Sequence, residues 1–417
     1  WIDSQTEEEI LRGIREAKDE SEYDNLSASA YLRAKEDYLM GINFSRVLTL
    51  RYGPSMSQYL GTKFTVLSVG RVMTCVLGMV VRREREIRNF VKTPFYRVLG
   101  SFQATAKDGT PVLLDAEWKA VEGSKYFGTP YLYKENGFKE REKAEELIAY
   151  LKEEPPLEAK VLSKEKKKET KNPPLLYNLA ELQNDCSKMF KISPDETLKV
   201  VQELYEKKLV TYPRTDARVL STAVAKEIYK NINGLMRYEP MAGFAKEAMD
   251  LGSFKGIAKT RYVNDKQITD HYAIIPTGQG MGNLRGLSPL SEKVYQVVCR
   301  RFLSIFYPAA IYQKYSLVLE RKKEQFFASF KVLSEPAYLK VADVNLAKKS
   351  SIQETFSDEK EGNSAQTDEK NAEIPKVDRT LLLQVLADLK KNAILTIADL
   401  KVKEGETSPP KRYTSGS

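Results

Sequence analysis

The chain has 417 residues, and 42% of them are hydrophobic, which is enough to form the cores of about two to four domains. Lys and Arg number 66 against 57 Asp and Glu, and the net charge of +9 favours a polyanionic partner without requiring one. No apolar run approaches the ~18 residues of a membrane span, and the acidic, polar start shows no signal peptide, so no association with a membrane is predicted.

The first 90 residues are predicted to be mainly helical. Thr6 and Glu9 form a capping box ahead of an apolar helix face. Three further stretches have helical periodicity: residues 28–39, 46–52 and 70–88.

Strand patterns follow this helical stretch. Residues that favour strands cover 96–105 and 111–118, and Lys107-Asp108-Gly109 between them is typical of a hairpin turn. The pattern then predicts a helix over residues 140–152. Residues 164–171 carry so many charges that we expect a solvated connector there.

The pattern becomes helical again from residue 172 to residue 308. Ser193 is a typical N-cap, because proline and two acidic residues follow it, and the helix that it starts ends near Lys208. A short apolar step then leads into Tyr212. A later helix is predicted over residues 291–306.

Strands return after the helical block, over residues 312–320 and 326–332, with a charged turn between them. Residues 346–376 are poor in hydrophobic side chains and are predicted to be a disordered insertion. A short helix over 381–389 and a strand over 394–402 follow. Two strand-rich stretches on either side of a helical block predict an α+β fold, in which one β domain is interrupted by an inserted helical domain on an arch.

The cysteines and the histidine exclude several kinds of metal site. Cys75, Cys186 and Cys299 are far apart in the sequence, so they form no zinc motif and no disulfide framework, and a reducing, cytoplasmic setting fits them. The single histidine, His271, excludes a site with several histidine ligands. No Asp-x-Asp pair occurs, so a compact magnesium site is not predicted in this chain.

Residues 209–218 carry the side chains best suited to phosphate chemistry. The Tyr212 hydroxyl can attack phosphorus and form a covalent ester if cations hold the developing charge. Arg214 lies two residues on, and its forked guanidinium suits a phosphate. Asp216 and Arg218 are expected to form a local pair that orients the loop. The alternative is a strand-end aromatic residue beside an exposed, salt-bridged loop.

Two further segments have a composition that suits phosphate binding. His271 stands next to Asp270, and a histidine beside a phosphate can donate a proton or steady charge near neutral pH. Ser68, Gly70 and Arg71 stand at a predicted helix start, where backbone N–H groups and a guanidinium can bind an anion. The alternatives are a core histidine with satisfied hydrogen bonds and a glycine turn before a buried helix.

Eight motifs in a fixed order connect these segments: Tyr23–Leu26 (YDNL), Asp37–Arg46 (DYLMGINFSR), Ser68–Thr74 (SVGRVMT), Asn172–Tyr177 (NPPLLY), Leu179–Gln183 (LAELQ), Thr211–Arg218 (TYPRTDAR), Thr269–Thr277 (TDHYAIIPT) and Pro409–Thr414 (PPKRYT). The sequences of these motifs and their order resemble those of the type IA DNA topoisomerases, and within that family those of the bacterial topoisomerase III group. The resemblance runs almost from end to end, apart from residues 346–376.

This resemblance implies an enzyme that cuts one DNA strand, passes a strand through the break and reseals it without ATP. Tyr212 matches the nucleophile that holds the 5′ phosphate covalently. Arg214 matches the arginine that stabilises the scissile phosphate, and His271 matches the active-site histidine. The implied fold is a toroidal type IA core, in which an arch carries the tyrosine-bearing domain.

The resemblance also implies contacts with single-stranded DNA and underwound duplex DNA along a basic groove. It implies a monomer in the bacterial cytoplasm, associated with the nucleoid. The expected DNA-binding residues are Arg71, Arg46, Arg33, Gln183, Asp216 and Arg218.

Combined with the element pattern, the resemblance predicts five segments. They are a helical cap and DNA-groove domain (1–90), the first part of the β-rich arch domain (91–171), a helical domain with the catalytic tyrosine (172–308), the second part of the arch domain (309–402) and the start of a return to the cap domain (403–417).

The sequence also departs from the family pattern. The Toprim domain, which supplies the Mg²⁺ ligands in this family, is not in the chain, so we expect a fragment whose Mg²⁺ ligands lie elsewhere; no zinc site is expected. Within the motifs, four positions carry unusual residues: Met73, Cys75, Ala217 and Tyr272. These exchanges leave Tyr212 and Arg214 in place.

Three alternatives to an active topoisomerase stay open at this point. The first is an inactive fragment that binds single-stranded DNA but has no magnesium site. The second is another tyrosine-based DNA enzyme, such as a tyrosine recombinase, which a single histidine and flanking β segments fit badly. The third is a structural scaffold, which would leave the ordered motifs unexplained.

Overall fold

The structure, a computed structural model, describes residues 7–342, 353–354 and 379–413. The chain forms two compact units, Trp1–Phe90 with Pro409–Ser417, and Val91–Ser408. The expected capping-box residue Thr6 lies outside the described residues, as does all of the expected insertion over 346–376 except two residues.

In its described residues, the first unit contains three α-helices: α1 (Glu7–Arg15), α2 (Asp24–Leu60) and α3 (Arg71–Arg88). The stretches that we predicted as separate helices over 28–39 and 46–52 are both part of α2. They are continuous because only Gly41 lies between them as a weak helix former, and one glycine costs about 1 kcal/mol in a helix. The predicted helix over 70–88 is confirmed as α3.

A row of small residues on α2 holds the segment that leads into α3. The backbone N–H of Leu67 donates to Thr49 Oγ1 (2.9 Å), and that of Val69 donates to Ser45 Oγ (2.8 Å). A Cβ on Gly41, four residues before Ser45, would lie 3.3 Å from the Val69 carbonyl oxygen. The spacing of four places these residues on one strip of the helix, so the start of α3 is fixed against α2.

The described residues of the second unit form an antiparallel sheet of nine strands: β1 (Pro94–Thr105), β2 (Pro111–Lys119), β3 (Leu132–Lys134), β4 (Gly137–Phe138), β5 (Glu158–Lys171), β6 (Ala310–Arg321), β7 (Glu324–Glu335), β8 (Gln353–Glu354) and β9 (Ile394–Glu406). Hydrogen-bonded neighbours follow the order β1–β2–β7–β6–β5–β9, and β9 pairs again with β1. These six strands therefore close into a barrel.

Aromatic side chains fill the core of the barrel. The fully buried rings of Trp118 and Phe138 stack with centroids 4.9 Å apart, and Phe102 meets Phe326 edge-on at 5.2 Å. The buried carboxylate of Glu324 accepts a 2.7 Å hydrogen bond from Trp118 Nε1, so the indole N–H is satisfied inside the core. Two helices add side chains to the same core: α4 (Arg141–Lys152) and α11 (Arg379–Asp388).

The charged connector that we predicted over residues 164–171 is wrong, because these residues are the second half of β5. They pair continuously with β6, from Lys164 opposite Leu317 to Lys171 opposite Ala310. Lys and Glu are poor strand formers, but backbone pairing with a neighbouring strand overrides that weak preference. Lys164 Nζ also donates to the backbone carbonyls at the end of α11.

The predicted turn between β6 and β7 is confirmed. Only Lys322 and Lys323 separate the strands, and their φ angles of 51° and 67° are both left-handed. Two consecutive left-handed residues define the hairpin turn whose twist matches paired strands, although Asn and Gly are the usual residues there.

A helical block with its own hydrophobic core lies between β5 and β6 in the chain. Its main helices are α5 (Leu179–Phe190), α6 (Pro194–Glu206), α7 (Thr222–Leu235), α8 (Glu239–Leu251) and α9 (Pro289–Ser304), and α10 (Leu339–Ala342) packs against them from beyond β7. The predicted N-cap Ser193 is confirmed, since its Oγ accepts from Glu196 N at 3.1 Å. The predicted α+β class, with a β domain interrupted by a helical block, is confirmed.

Within the described residues, no helix is both long enough and apolar enough to span a membrane.

Two glycines allow α7 to approach the loop after residue 275. A Cβ on Gly234 would collide with the backbone of Gly278, which itself has a left-handed φ of 73°. On the same face of α7, Asn231 Nδ2 donates to the carbonyl of Pro276 (2.9 Å). The loop after residue 275 is therefore held directly against the helix.

Replacing Gly234 with Ala should lower the free energy of unfolding by about 1–3 kcal/mol, because the added methyl group must displace the loop backbone. Gly243 is a matched control in α8, since it is exposed and open space surrounds its Cβ position. Gly243→Ala should raise stability by up to about 1 kcal/mol, because alanine is the better helix former. Urea denaturation measures both changes, and equal midpoints for the two variants would contradict the close approach.

Candidate active site

Two segments that are far apart in the sequence lie side by side around Tyr212. Residues 209–220 are joined by backbone hydrogen bonds to residues 271–277, which we call the histidine segment. Three of these bonds are 3.0 Å long: Thr277 N to Leu209 O, Thr211 N to Ile275 O and Ala273 N to Val219 O. Two motifs that the sequence presented separately are thus parts of one structure.

The phenol ring of Tyr212 contacts two other rings. Its centroid lies 4.5 Å from that of His271, with the rings tilted by 50°, and 5.4 Å from that of Tyr205, which meets it edge-on. Tyr205 is in the last turn of α6. Tyr212 is half-buried, whereas His271 is exposed, so the pair lies at the protein surface with one side packed.

Threonine hydroxyls strengthen the contact between the two segments. Thr211 Oγ1 donates to the carbonyl of Ala273 (3.0 Å) and accepts from the N–H of Ile275 (2.9 Å). Thr215 Oγ1 donates to the carbonyl of His271 (2.6 Å). Tyr212 and Arg214 therefore stand between two residues whose side chains bind the histidine segment.

Arg214 is an exposed cation close in sequence to Tyr212. In the described part of the chain, no hydrogen bond or ion pair engages its guanidinium. A guanidinium without an internal partner is free to bind an anion, and its fork suits the two oxygens of a phosphate.

A third segment, residues 172–183, contacts the first two, and we call it the supporting segment. Leu176 N donates to the Arg218 carbonyl and Leu179 N to the Thr215 carbonyl, both at 3.2 Å, while Ile274 N donates to the Tyr177 carbonyl at 2.7 Å. The motifs at 172–177 and 179–183 are therefore placed directly behind the other two, although they supply backbone contacts rather than reactive groups.

Tyr177 is held in a buried polar network. Its hydroxyl donates to Asp185 Oδ2 (2.7 Å), and Arg301 donates to the same oxygen (2.9 Å) with its guanidinium carbon 4.0 Å from the Tyr177 ring centroid. Burial raises the pKa of the Tyr177 phenol, so this tyrosine stays protonated and serves as a donor. The network locks the supporting segment to α9.

The pair that we expected between Asp216 and Arg218 is not formed. Arg218 instead lies 3.5 Å from Glu181 and donates from Nε to the Leu176 carbonyl (3.2 Å), because its side chain follows the supporting segment. Asp216 is exposed. Gln183, which we expected to contact DNA, donates to the carbonyl of Pro194 (3.0 Å) and so joins α5 to the start of α6.

The remaining expected DNA-binding residues lie in the first unit. Arg71 begins α3, and its Nε donates to Asp37 Oδ1 on α2 at 2.7 Å, which raises the pKa of the guanidinium. Arg33 and Arg46 are both exposed on α2. At about 100° per residue, Arg33 lies on the same face of α2 as Asp37, the partner of Arg71, whereas Arg46 lies on the opposite face. Arg46 therefore does not form one patch with the other two.

Among the residues that the structure describes, no group of three or more His, Cys, Asp or Glu side chains is placed to hold a metal ion. The three cysteines are free: Cys75 is exposed, whereas Cys186 and Cys299 are buried. Burial raises the pKa of the Cys186 thiol to about 12, so it stays protonated.

Sequence reasoning missed several residues that shape this site. Asn178 could have been found, because an asparagine three residues before Glu181 is a typical N-cap, and its side chain also donates to the Asp216 carbonyl (3.1 Å). The packing of Tyr205 against Tyr212 had no local signal. The hydroxyl bonds of Thr211 and Thr215 depend on a segment about sixty residues away, which no local pattern reveals.

A sequence model of the family described as DNA topoisomerase matches residues 21–417. The chain belongs to the DNA topoisomerase family. The match covers both segments around Tyr212 and confirms the resemblance that the eight motifs indicated.

The chain is also similar to individual members of this family. It is 32% identical to DNA topoisomerase 3 of Bacillus subtilis over 421 residues, which cover 100% of the chain and 49% of that protein. It is 30% identical to DNA topoisomerase 3 of Bacillus licheniformis, again over 100% of the chain and 48% of the relative. The chain thus spans about half the length of these relatives, and the type IA, topoisomerase III character is confirmed.

Among solved structures, full-length topoisomerase I from Thermotoga maritima has a similar fold. The TM-score is 0.52 at 20% sequence identity, and the match covers 99% of this chain and 56% of that one. At this identity the likeness supports the fold alone, and it confirms the type IA topoisomerase fold class.

The double role of Asn178 can be tested against Ser193, which caps α6 in the same way but touches no part of the site. Replacing either residue with Ala should cost about 1 kcal/mol of stability, through the lost helix cap. Only Asn178→Ala also removes the bond to the Asp216 carbonyl. We therefore expect faster amide hydrogen exchange over residues 215–218 in Asn178→Ala alone. Equal exchange there in the two variants would show that the second bond has no effect.

Proposed function

We propose that this chain provides the strand-cleaving tyrosine of a type IA DNA topoisomerase. The observation that carries the proposal is the contact between Tyr212 and the only histidine of the chain, with an exposed Arg214 two residues from Tyr212 that has no ion-pair or hydrogen-bond partner among the described residues. A nucleophile, a proton-handling group and a phosphate-binding cation occur together within one surface site. That combination suits phosphoryl transfer to a phenol.

In the proposed reaction, Tyr212 Oη attacks a phosphorus atom of the DNA backbone. A bond forms between Oη and phosphorus, and the bond from phosphorus to the 3′ oxygen breaks. The phenol loses its proton, and the departing 3′ oxygen becomes a hydroxyl. The 5′ phosphate stays on the protein as a tyrosyl ester, so the energy of the broken bond is kept and resealing needs no ATP.

Arg214 and His271 would act on the charge of the phosphate. The Arg214 guanidinium binds two of its oxygens and stabilises the negative charge that builds up on them. The imidazole of His271 adds a hydrogen bond to the phosphate. Passage of another strand through the break, followed by reversal of the same reaction, changes the linking number of the DNA.

The proposed substrate is single-stranded DNA or the unpaired part of an underwound duplex. Arg71 would bind a phosphate with its two terminal amino groups, since Asp37 engages only its Nε. Arg33, Arg46 and Arg218 are proposed as further backbone contacts. Such contacts make binding weaken as the salt concentration rises.

The resemblance implies Mg²⁺, but the described residues do not fit a magnesium site, because no carboxylate cluster of three or more residues occurs among them. We propose that carboxylates from a Toprim domain bind the Mg²⁺ ion. The roles given to Tyr212, Arg214 and His271 do not include binding it.

An inactive fragment that only binds single-stranded DNA is the second candidate function. It is favoured by the same lack of a carboxylate cluster in the described residues. The two candidates differ in one outcome, the formation of a covalent adduct.

Replacing Tyr212 with Phe should abolish adduct formation while the affinity for single-stranded DNA stays nearly unchanged, because one hydroxyl carries the chemistry and many contacts carry the binding. The assay uses an oligonucleotide labelled at its 3′ end, mixed with the chain with and without Mg²⁺ and a separately supplied Toprim domain. Labelled protein that survives denaturation is then counted. An adduct formed equally by the Phe variant would refute the assignment, and binding without any adduct would favour the inactive fragment.

Replacing Arg214 with Lys should slow cleavage by about 10²-fold or more, because a single ammonium cannot reproduce the bidentate fork on the phosphate. Lys266 is a suitable control, since it is exposed and stands five residues before His271 in the sequence. Lys266→Arg should cleave at the normal rate. Single-turnover adduct formation measures both variants, and an unchanged rate for Arg214→Lys would show that the fork is not used.

A further inference from the structure

The tripeptide Tyr212-Pro213-Arg214 makes no hydrogen bond of its own to the rest of the described chain, through either backbone or side chains. Within that part of the chain, it is held directly by the ring contacts of Tyr212 and by the burial of Pro213. Its placement therefore depends on the residues immediately before and after it.

Those two residues are Thr211 and Thr215, and both bind the histidine segment through their hydroxyls. Thr211 Oγ1 uses both hydrogen-bonding directions there, donating to Ala273 and accepting from Ile275. Thr215 Oγ1 donates to the carbonyl of His271 itself at 2.6 Å and accepts from the N–H of Ala217 at 3.1 Å.

Thr215 is buried, with 7% of its surface exposed, so water does not readily replace its hydroxyl. The bond to the His271 carbonyl fixes the backbone from which the imidazole extends. It also fixes the end of the Tyr212–Arg214 tripeptide. Loss of the hydroxyl would release both at once and leave a carbonyl of the histidine segment without this donor.

We infer that Thr211 and Thr215 are positioning residues whose hydroxyls hold Tyr212 and Arg214 in register with His271. Thr215 has the larger effect, because its partner is the histidine backbone. The catalytic meaning of this inference rests on the proposed function, whereas the positioning itself does not.

Thr277 provides a matched control within the same pair of segments. Its hydroxyl also donates to a carbonyl at 2.6 Å, that of Lys208, and also accepts from the N–H two residues ahead at 3.1 Å. It differs from Thr215 in location, since it lies at the opposite end of the histidine segment from His271. Loss of its hydroxyl removes the same chemistry without touching the Tyr212–His271 contact.

The test uses the single histidine of the chain as a reporter. Protein labelled with ¹³C at histidine Cε1 gives one resonance, whose shift depends on the nearby Tyr212 ring. Tyr212→Leu defines the position of this resonance when the phenol ring is removed. Thr215→Val should move the resonance by about half of that displacement or more, whereas Thr215→Ser and Thr277→Val should leave it near the wild-type position.

Two results would overturn the inference. One is a wild-type histidine resonance in folded Thr215→Val, and the other is an equal displacement in Thr277→Val. If Thr215→Val does not fold, Thr215→Ala and Thr211→Val test the same point, because each removes one hydroxyl without adding bulk. Failure of both to move the resonance would also count against it.

A cleavage measurement adds the functional consequence. With Mg²⁺ and a supplied Toprim domain, Thr215→Val should lower the single-turnover rate at least about tenfold at unchanged affinity for single-stranded DNA, since misplaced reacting groups lose rate rather than binding. Thr215→Ser should restore the rate, and an unaffected rate in Thr215→Val would contradict the role. The NMR comparison decides the positioning even if Tyr212 proves not to be the nucleophile.

Discussion

The pairing of β5 with β6 is the constraint on which the rest of the second unit depends. It runs from Lys160 opposite Glu320 to Lys171 opposite Ala310, where the two strands meet the helical block. The helical block lies between the end of β5 and the start of β6 in the chain. The pairing of these two strands therefore brings the two ends of the block together. Closing so long a loop costs entropy only once, and afterwards the block can pack around its own core. The barrel and the block therefore keep separate hydrophobic cores along one continuous backbone.

In the candidate site, the residues proposed to react are different from the residues that hold them in place. Tyr212 and Arg214 have no hydrogen bonds in the described structure, while their neighbours Thr211 and Thr215 are bonded strongly. A reactive group that already has internal partners must give them up before it can bind a phosphate. In this arrangement the rigid neighbours place the reactive groups, and the reactive groups keep their bonding capacity for a ligand.

Much of this could be predicted from the sequence, for reasons that are local. The helix start at Ser193 and the turn before β2 have signals within a few residues, and both are confirmed. The interrupted β domain followed from the order of strand-rich and helical stretches. The family followed from the motifs around Tyr212 and His271, and the family match confirms it.

Two of the failures have the same physical cause, which is that the pairing partners lie far away in the sequence. Residues 164–171 have a composition typical of solvated segments, and only β6 makes them a strand. The expected partner of Arg218 was its neighbour Asp216, but Glu181 from the supporting segment is closer in space. In both cases the charged residues were identified correctly from the sequence, but the segment that pairs with them in the fold was not.

The antiparallel ladder between β5 and β6 also has a mechanical consequence. The helical block continues from the same end of both strands, through Lys171 and Ala310, and α10 joins it from the neighbouring end of β7. A pull on the block away from the barrel would therefore act first on the residue pairs at this end of the strands, rather than on all pairs together. Separation of the two bodies would proceed as an unzipping from the block side. The six-strand closure at the far end of the barrel would stay intact while the first pairs part, so the two strands can serve as a compliant tether without unfolding the barrel that anchors them.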